Sequence, residues 1–562
     1  MAATVSGTAR ADSDCVSGPF ERTYEAETIN VSKIANGRKE REESDKPVED
    51  PPSDEQLENM KQGNEEIPPA ASAQQVPDSN GLLDIGTEYD GIGDAFVLSG
   101  AEGRRVAMPS DAQVAVGRSK TVQVVNSSLA IFNQRSGNIE LQVPLENMFD
   151  PVITEERFLD GMPKVVDPRV RYDPNADRFV VSTLWRHYPT VSGAMFLAVS
   201  DSSNPNGPWH LYRISVPIDI PGFTDYPVLG LDRDAIYLTE LFIPDEFALG
   251  NFDVTLTILD KQAAYRGDNL PASNFTGLFL VPITGGVPLL HLTVQPAFQP
   301  FSGGDSGTYY LMASQTHKQV FFDIFDTGLT LWKVTDPLDE PSVTCSVITV
   351  DPFSGLGGSD PAIDGVRQPD TDVRVDPVGD RLMNLDYSDG SLWTAHATKY
   401  NWEDGPDEYV TAIRWYEIDP TTTEVLQSGT YGEPGTSYFI PRIETSGDRT
   451  LLGYNVSGPD TYPSIKAAGR TTDVPDGEME DVVVIQEGKS PMEHPTKFSD
   501  RDPVKWGDYM GISVHPKTDH FWMTGQYSPD YDVPQDSEKP DQYGTRIAEI
   551  TFEDEDARGD RS

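Results

Sequence analysis

Six polar or charged residues stand at matching places in the sequence, each at the start of an apolar run that is typical of a β-strand. They are Asp167, Asp225, Gln295, Arg374, Arg442 and Asp508. If those runs are the innermost strands of a closed ring, the six side chains converge on one axis, where they can hold a ligand, a metal ion or a reacting group. Such residues can equally pair with one another and seal the opening, and the pattern leaves both interpretations open.

A second set of residues could do acid–base chemistry at the rim of such a ring. His187 follows "STLW" and His396 stands in "LWTAHAT", with Tyr188 and Tyr387 nearby. A His/Tyr pair can remove the proton beside a uronate in a polysaccharide lyase, provided that a cation or an arginine neutralises the carboxylate. A glycoside hydrolase would need two carboxylates about 5–10 Å apart, and 91 acidic residues produce such pairs by chance. These four residues are the catalytic candidates.

Patterns that bind metal ions are sparse in this sequence. The two cysteines, Cys15 and Cys345, are too few for a Cys-rich metal site, and we expect no bridge between them because Cys15 lies in a polar N-terminal stretch. The histidines do not fall on successive inner strands, so no shared metal centre is predicted. Calcium is compatible with oxygen-rich turns such as "DPNAD" and "GGDSGT", although such turns more often cap a hairpin through Asx-type hydrogen bonds. No other cofactor is predicted.

The composition disfavours several classes of partner. The 562 residues carry a formal net charge of −48, which disfavours nucleic acid and anionic membranes because both are bound through clustered Lys and Arg. An acidic chain that is poor in Lys suits a halophilic habitat, and an acidic secreted protein from an ordinary habitat fits equally well. No apolar run of about 18 residues predicts a transmembrane helix, and "MAATVSGTARADSDCVSG" lacks the pattern of a signal peptide.

The character of the chain changes once along its length. Residues 1–80 are rich in Glu, Lys, Pro, Ser and Gln and poor in aromatic residues, which predicts a disordered, charged tail. Residues 81–562 consist of short β-rich runs separated by turns of Gly, Pro, Asn and Asp, which predicts an all-β domain.

The all-β domain repeats one unit, an apolar strand, a polar turn and a second apolar strand, and a further pair of strands follows most copies. The seven copies are "DAQVAVGRSKTVQVVN", "VRYDPNADRFVVST", "PVLGLDRDAIYLTE", "QPFSGGDSGTYYLMAS", "VRVDPVGDRLMNLDY", "PRIETSGDRTLLGYN" and "GISVHPKTDHFWMTGQ". Four strands per period predict a single seven-bladed β-propeller, with six blades and an extra hairpin as the alternative count. We expect the last strand, "GTRIAEITFED", to share a blade with the N-terminal strand "GDAFVLSG" and so to close the ring.

Four segments carry a resemblance to known proteins. They are "PSDAQVAVGRSKTVQVVNSSLAIFNQRSGNIELQVPLENMF", "DPRVRYDPNADRFVVST", "FTDYPVLGLDRDAIYLTE" and "WGDYMGISVHPKTDHFWMTGQY". They resemble a widespread group of large bacterial extracellular propeller proteins, mostly uncharacterised, over about Met108 to Phe552. The resemblance implies an exported, surface-linked propeller and brings no established activity. Sialidase-type propellers are a more distant comparison, since their Ser-x-Asp-x-Gly-x-Thr-Trp turn is absent and three arginines poised for a carboxylate are not evident in the sequence.

Two functions are consistent with these patterns. The first is a non-catalytic binding or scaffold propeller, extracellular or at the cell surface and monomeric, that holds a glycan or a surface protein at its polar mouth. Rim aromatics would then face sugar rings, and the candidates are Trp185, Tyr188, Trp393 and Trp522. The alternative is a carbohydrate-active enzyme, a polysaccharide lyase or a glycoside hydrolase, with its active site at the same mouth. We favour binding over catalysis because no catalytic motif stands out.

Overall fold

Short strands joined by tight turns make up almost all of the regular structure. The computed structural model of the chain describes residues 15–35, 73–93, 109–126, 128–153, 165–187, 192–215, 218, 220–245, 251–281, 289–301, 307–315, 326–354, 365–402, 409–492, 503–530 and 543–553. Many strands are rich in β-branched and aromatic residues, which pack well on a pleated surface, as in "AIYLTELFIP". The helical segments of the described chain are short: α1 (Val31–Ala35), α2 (Leu145–Met148), the 3-10 turn Asp150–Val152 and α3 (Lys261–Arg266). None of these helices is long and apolar enough to cross a membrane.

The strands fall into seven larger sheets and two small pairs. Four strands precede the first complete sheet: β1 (Ser17–Tyr24), β2 (Glu27–Asn30), β3 (Ala73–Gln75) and β4 (Leu83–Asp90). The next twelve are β5 (Gln113–Val116), β6 (Lys120–Val125), β7 (Ser128–Asn133), β8 (Ile139–Pro144), β9 (Val165–Asp173), β10 (Arg178–His187), β11 (Ser192–Ser200), β12 (Pro208–Ser215), β13 (Gly222–Leu231), β14 (Ala235–Pro244), β15 (Asp253–Asp260) and β16 (Leu270–Thr276).

The second half of the chain continues the same pattern. Its strands are β17 (Leu280–Val281), β18 (Leu289–Leu290), β19 (Gln295–Pro296), β20 (Thr308–Ser314), β21 (Asp326–Thr335), β22 (Ser342–Phe353), β23 (Val375–Asp376), β24 (Leu385–Ser388), β25 (Ser391–Tyr400), β26 (Val410–Asp419), β27 (Glu424–Gly432), β28 (Ser437–Ser446), β29 (Arg449–Gly458), β30 (Thr461–Thr471), β31 (Asp481–Gln486), β32 (Val504–Lys505), β33 (Gly511–Val514), β34 (Phe521–Tyr527) and β35 (Gly544–Phe552).

Each large sheet is one blade of a propeller, with its strands in chain order from the axis outwards. Blades 1 to 6 begin on β5, β9, β13, β19, β24 and β28, and blade 7 has the order β33-β34-β35-β4. The pairs β17-β18 and β23-β32 lie outside the blades. The prediction of a seven-bladed all-β propeller is therefore confirmed, and the six-bladed count is wrong. The core lies between adjacent blades, where large rings such as Trp332, Tyr309 and Trp415 are fully buried.

The two ends of the described chain meet in blade 7. Strand β4 pairs antiparallel with β35, from Leu83 opposite Phe552 to Asp90 opposite Arg546. The N-terminal strand of this blade is therefore "LDIGTEYD" and not the predicted "GDAFVLSG", of which residues 94–100 lie outside the described residues. Because β4 is the outermost strand, it needs to bury only one face, and its exposed and buried residues alternate accordingly.

Parts of the predicted disordered tail form strands on the outer edges of blades. Strand β1 pairs with β16 of blade 3, β2 pairs with β12 of blade 2, and β3 pairs in parallel with β27 of blade 5. The polar composition misled the prediction for these segments, because an added edge strand is held by backbone hydrogen bonds while most of its side chains face water. Residues 36–72 lie outside the described residues.

The expectation that the two cysteines stay apart is also wrong. Cys15 and Cys345 form a disulfide bond, with their Cα atoms 6.2 Å apart across 330 residues of sequence. Cys15 stands just before β1 at the edge of blade 3, and Cys345 lies in β22, the outermost strand of blade 4. The bond therefore ties the N-terminal segment to the neighbouring blade.

Candidate functional site

The inner strands of three blades carry the same bulge where they enter the channel. In β9, β13 and β28 two residues oppose one residue of the next strand, and the second bulge residue is a proline. The first bulge residues have left-handed backbones, with φ of 56° at Asp167, 48° at Tyr226 and 49° at Ile440. A bulge adds one residue to the strand and so re-aims the side chains that follow. The residues after the three prolines, Arg169, Val228 and Arg442, consequently line the channel.

Charged side chains of both signs surround the opening at this end of the propeller, which we call the mouth layer. Its half-buried members are Asp225, Asp376, Arg381, Lys505 and Asp508. Lys505 Nζ lies 2.7 Å from Asp508 Oδ1. Burial raises the pKa of Asp508, but Lys505 and Arg381 outweigh that effect and hold the pKa below its ordinary value. The opening is therefore lined by charges that already neutralise one another.

Buried carboxyl and amide groups connect the mouth layer across three blades. The backbone N–H of Asp508 donates to Asp111 Oδ1 at 2.6 Å, and Asn126 Nδ2 donates to Asp111 Oδ2 at 2.6 Å. Asn126 Oδ1 in turn accepts from the N–H of Asp167 at 2.7 Å. Burial raises the pKa of Asp111 to about 8, and the carboxylates of Asp508 and Asp167 add to that shift. Both oxygens of this largely neutral carboxyl group are thus engaged within the protein.

Arg169 joins the mouth layer to the channel below. Its guanidinium carbon lies 3.2 Å from the ring centroid of Tyr509 and 5.2 Å from that of Tyr226, and its Nε donates to the carbonyl of Pro227 at 2.8 Å. Arg381 lies over the other side of the site, 4.8 Å from the Tyr226 centroid. Such cation–π contacts, together with burial, hold the two arginines in fixed positions.

A second group of polar residues, the channel layer, lies deeper on the axis and is almost fully buried. Six of its members line a small cavity: Gln113, Arg169, Arg171, Gln295, Asn384 and Arg442. Glu444 completes the layer, because its Oε1 accepts from Arg171 Nη1 at 2.9 Å and from Arg442 Nη2. Burial raises the pKa of Glu444, but the two guanidinium groups outweigh it and hold the pKa below its ordinary value.

Asn384 and a further polar side chain, Asp386, fix the channel layer between blades 5 and 6. Asn384 Nδ2 donates to the carbonyl of Ile443 at 2.6 Å, and Asn384 Oδ1 accepts from the N–H of Ile443 at 3.1 Å. Asp386 Oδ2 accepts from the N–H of Thr445 at 3.0 Å and from its hydroxyl at 2.6 Å. Burial and the nearby Glu444 carboxylate raise the pKa of Asp386 well above its ordinary value. The Asp386 carboxyl is therefore held neutral beside an ionised one.

The six residues predicted to share the mouth lie at three kinds of place. Asp167, Asp225 and Asp508 belong to the mouth layer, and Gln295 and Arg442 lie deeper, in the channel layer. Arg374 stands just before β23, which pairs with β32 instead of starting blade 5.

The inner strand of blade 5 is β24, and the turn "DPVGD" precedes it. The prediction that this turn follows the inner strand of the blade is therefore wrong. Arg374 was predicted to stand on the axis at the start of the inner strand of blade 5. In the structure Arg381, in the mouth layer, and Asn384, in the channel layer, lie there instead.

Of the predicted acid–base residues, His396 and Tyr387 do not meet at a rim, and the pair of His187 and Tyr188 stays a prediction. His396 is fully buried in β25, where its ring nitrogens lie 2.9 Å from the carbonyl oxygen of Ala397 and 3.1 Å from the hydroxyl of Tyr416. Burial lowers the pKa of His396 to about 3, so the ring is neutral and inaccessible to a substrate. Tyr387 is half-buried and stacks on Tyr310, 5.6 Å away between centroids. His187 ends β10, and Tyr188 lies outside the described residues.

The aromatic and oxygen-rich segments also have structural roles where they are described. Trp185, Trp393 and Trp522 are buried, so they pack the core and do not face solvent at a rim. In the "DPNAD" turn, Asp173 accepts from the N–H of Asn175 at 2.9 Å and pairs with Lys261 at 2.9 Å. Most of "GGDSGT" lies outside the described residues, and the part of the chain that is described holds no group of three metal-ligating residues. Calcium binding stays a prediction.

Two residues of the site that were not predicted, Arg169 and Tyr226, follow a pattern that was present in the sequence. They belong to the segments "DPR" and "YPV", and the predicted Arg442 belongs to "IPR"; in all three a proline separates the left-handed residue from the channel-lining one. The prediction chose the residue before the proline in "DPR", whereas the residue after it enters the channel. Lys505 and Tyr509 are not marked by such a proline. Only tertiary contacts, such as those of Tyr509 with Arg169 and Tyr226, bring their segment to the axis.

Comparison with known proteins yields fold similarity alone. The sequence matches no family model and no curated protein. Among solved structures, a Trypanosoma rangeli sialidase is 8% identical with a TM-score of 0.30, over 78% of this chain and 58% of the sialidase. A glycosyl hydrolase from Bacteroides ovatus is 10% identical with a TM-score of 0.29, over 56% of this chain and 87% of that one. A thermostable family-43 glycoside hydrolase is 10% identical with a TM-score of 0.28, over 71% of this chain and 94% of the hydrolase. The chain therefore spans less than two thirds of the sialidase, and likenesses of this degree carry no argument about activity.

Proposed function

We propose that the protein is a non-catalytic binding propeller that holds a glycan, free or on a surface partner, at the mouth of its channel. The observation that carries this proposal is the mouth layer, where half-buried acceptors and half-buried donors surround one opening. The acceptors are Asp225, Asp376 and Asp508, and the donors are Arg381 and Lys505. Glycan hydroxyl groups both donate and accept hydrogen bonds, so a mixed set of this kind matches them better than a set of one sign would.

The state of the carboxyl groups argues against catalysis at this mouth. A glycosidase needs one carboxyl group free to protonate the leaving oxygen and a second one free to act as base or nucleophile. Asp111 has the raised pKa of an acid, but both of its oxygens accept hydrogen bonds from the protein. Asp508 is ionised, but Lys505 holds it at 2.7 Å. A carbohydrate-active enzyme with the same mouth is accordingly not favoured.

The proposal includes a location outside the cytoplasm. The disulfide bond between Cys15 and Cys345 supports it, because such bonds form and persist in oxidising compartments. Thiol titration of protein purified without reductant tests this point, and we expect no reactive thiol until a reductant is added. Two free thiols in the folded, unreduced protein would contradict the location.

Glycan binding can be tested on the full chain with two matched substitutions. Asp508→Asn and Asp389→Asn remove one carboxylate each, the first at the mouth and the second at the exposed β24–β25 turn on the opposite face. Each protein is titrated against neutral and anionic polysaccharides in low and high salt, while reducing ends and unsaturated ends are assayed. We expect saturable binding without cleavage, weakened by Asp508→Asn and unchanged by Asp389→Asn.

The same experiment can overturn the proposal in two ways. Release of new ends that Asp508→Asn abolishes would make the protein an enzyme. Binding that both variants retain in full would place the ligand away from the mouth, and an absence of binding across the panel would remove the glycan from the proposal.

A further inference from the structure

The channel layer contains buried hydrogen-bonding atoms that the protein itself leaves without partners. Among the described residues these include Arg169 Nη2, Arg442 Nε and both amide atoms of Gln295. All three side chains are more than nine-tenths buried, and all three line the same cavity on the propeller axis. Three of these four atoms are N–H donors, and Gln295 Oε1 is the one acceptor. A buried donor without a partner costs about 1–3 kcal/mol or more, so the three donors of this cavity are suited to an occupant that accepts hydrogen bonds.

The charges around the cavity indicate the sign of that occupant. Three guanidinium groups, those of Arg169, Arg171 and Arg442, border it, and Glu444 is the ionised carboxylate that binds two of them. Burial and the neighbouring Arg171 lower the pKa of Arg442 to about 10. The contribution of Arg171 is the repulsion between two positively charged guanidinium groups. The carboxylates nearest to Arg169 belong to the mouth layer, where Lys505 and Arg381 already face Asp508. The cavity therefore has an excess of positive charge.

The size of the cavity limits the occupant to a small ion. The volume of the cavity is about 10 Å³, room for about one water-sized sphere and far below the roughly 300–1,000 Å³ of pockets for drug-sized ligands. A water molecule would satisfy the donors but would leave the charge of the guanidinium groups unbalanced.

We infer that the channel layer is a binding site for a small monovalent anion, a halide, held by Arg169, Arg442 and Gln295. The site lies below the mouth layer and does not depend on the proposed glycan binding, so either proposal can fail alone. The bound halide would accept hydrogen bonds from the guanidinium and amide groups and balance the excess charge between blades 2, 4 and 6.

Bromide is the probe for this site, because it can be located by its anomalous scattering in crystals of the full chain. We expect one bromide on the axis, within hydrogen-bonding distance of the two arginines and Gln295. In solution, bromide added at constant ionic strength against gluconate, which is too large for the cavity, should raise the melting temperature in a saturable way. A water molecule at the site together with no saturable rise would overturn the inference.

Two matched glutamine substitutions separate this site from general salt effects. Gln295→Glu places a carboxylate where the anion would lie, and we expect bromide affinity to fall at least about tenfold while the protein stays folded. Gln123→Glu changes an equally buried amide that binds Ile92, Thr524 and Thr545 away from the arginines, and its bromide dependence should match the wild type.

If Gln295→Glu does not fold, Gln295→Met removes one donor at similar volume and should lower bromide affinity by about tenfold. Bromide dependence that is unchanged by either substitution of Gln295 would contradict the site.

Discussion

The mouth layer and the channel layer lie on the same axis and use the same residue types, but they differ in burial and in charge balance. In the mouth layer the side chain of Lys505 is 42% exposed, and its partner Asp508 offers one carboxylate to one ammonium group. In the channel layer the side chains of Arg442 and Glu444 are 3% and 2% exposed, and one carboxylate is shared by two guanidinium groups.

This difference shows that the burial of a charged pair on the axis determines whether the pair can exchange its partner for a ligand. A pair with one partly exposed partner, such as Lys505 at 42% with Asp508 at 15%, exchanges contacts with water at less cost, so it can also exchange them with a ligand. A fully buried pair cannot, because each charge that loses its partner stays without solvent. The mouth layer is therefore suited to recognition, and the channel layer to holding blades together around a fixed ion.

The largest effect should come from breaking the buried pair. Glu444→Gln removes the carboxylate that Arg171 and Arg442 share, and we expect the free energy of unfolding to fall by about 3–5 kcal/mol. Denaturant unfolding measures this change, with Glu424→Gln as an exposed control on β27 that should stay within about 0.5 kcal/mol of the wild type. Equal stabilities for the two variants would mean that the buried carboxylate of the channel layer contributes no more to stability than an exposed one.

A smaller loss should follow from cutting the link between blades 5 and 6. Asn384→Ala removes both hydrogen bonds to Ile443 and leaves a buried N–H and carbonyl unpaired, which costs about 1–3 kcal/mol. Thermal or urea unfolding can be compared with Asn269→Ala, an exposed position. If Asn384→Ala unfolds like the control, the blades do not depend on this link.

A pH-dependent effect should separate the buried carboxyl group of Asp111, beside the mouth layer, from the exposed carboxyl group of Asp389. Burial raises the pKa of Asp111 from 3.8 to about 8, so the folded state binds this proton more tightly than the unfolded state does. Its contribution is present at acidic pH and is lost as pH rises towards 8. In Asp111→Asn the titration is absent, so the stability of the variant relative to the wild type should increase from pH 4 to pH 8.

Urea unfolding at several pH values checks this prediction. The stability difference between Asp389→Asn and the wild type should not change over the same range, because Asp389 lies exposed in a turn. Curves for Asp111→Asn and the wild type that run parallel would show that Asp111 is ionised in the folded protein.

The smallest effect is expected at the exposed pair. Lys505→Gln should change the free energy of unfolding by less than about 1 kcal/mol, and the change should shrink further in high salt because water and ions screen a half-exposed pair. The same denaturant assay at low and high salt measures it. A loss as large as that of Glu444→Gln would contradict the comparison between the layers.

Much of the fold follows from local patterns in the sequence. Apolar strands that flank polar turns predicted hairpins, and five of the seven predicted hairpins correspond to the first two strands of a blade. The segment "QPFSGGDSGTYYLMAS" contains only β20, because β19 ends before it at Pro296. In "VRVDPVGDRLMNLDY" a turn of similar composition lies outside the blade, and the true hairpin turns at Asp389. A turn motif alone does not show which of two neighbouring apolar runs pairs with the inner sheet.

The sequence by itself determined the all-β class, the repeat and the seven blades, because hairpins depend on period-two alternation and turn residues that are close in the chain. Tertiary structure decided which side chains meet on the axis, since a bulge at Asp167 or Ile440 shifts every following residue of its strand to the other face. It also decided the burial of His396, the disulfide between Cys15 and Cys345, and the edge strands of the N-terminal segment. Each of these depends on contacts between segments far apart in sequence, and local composition carries no record of them.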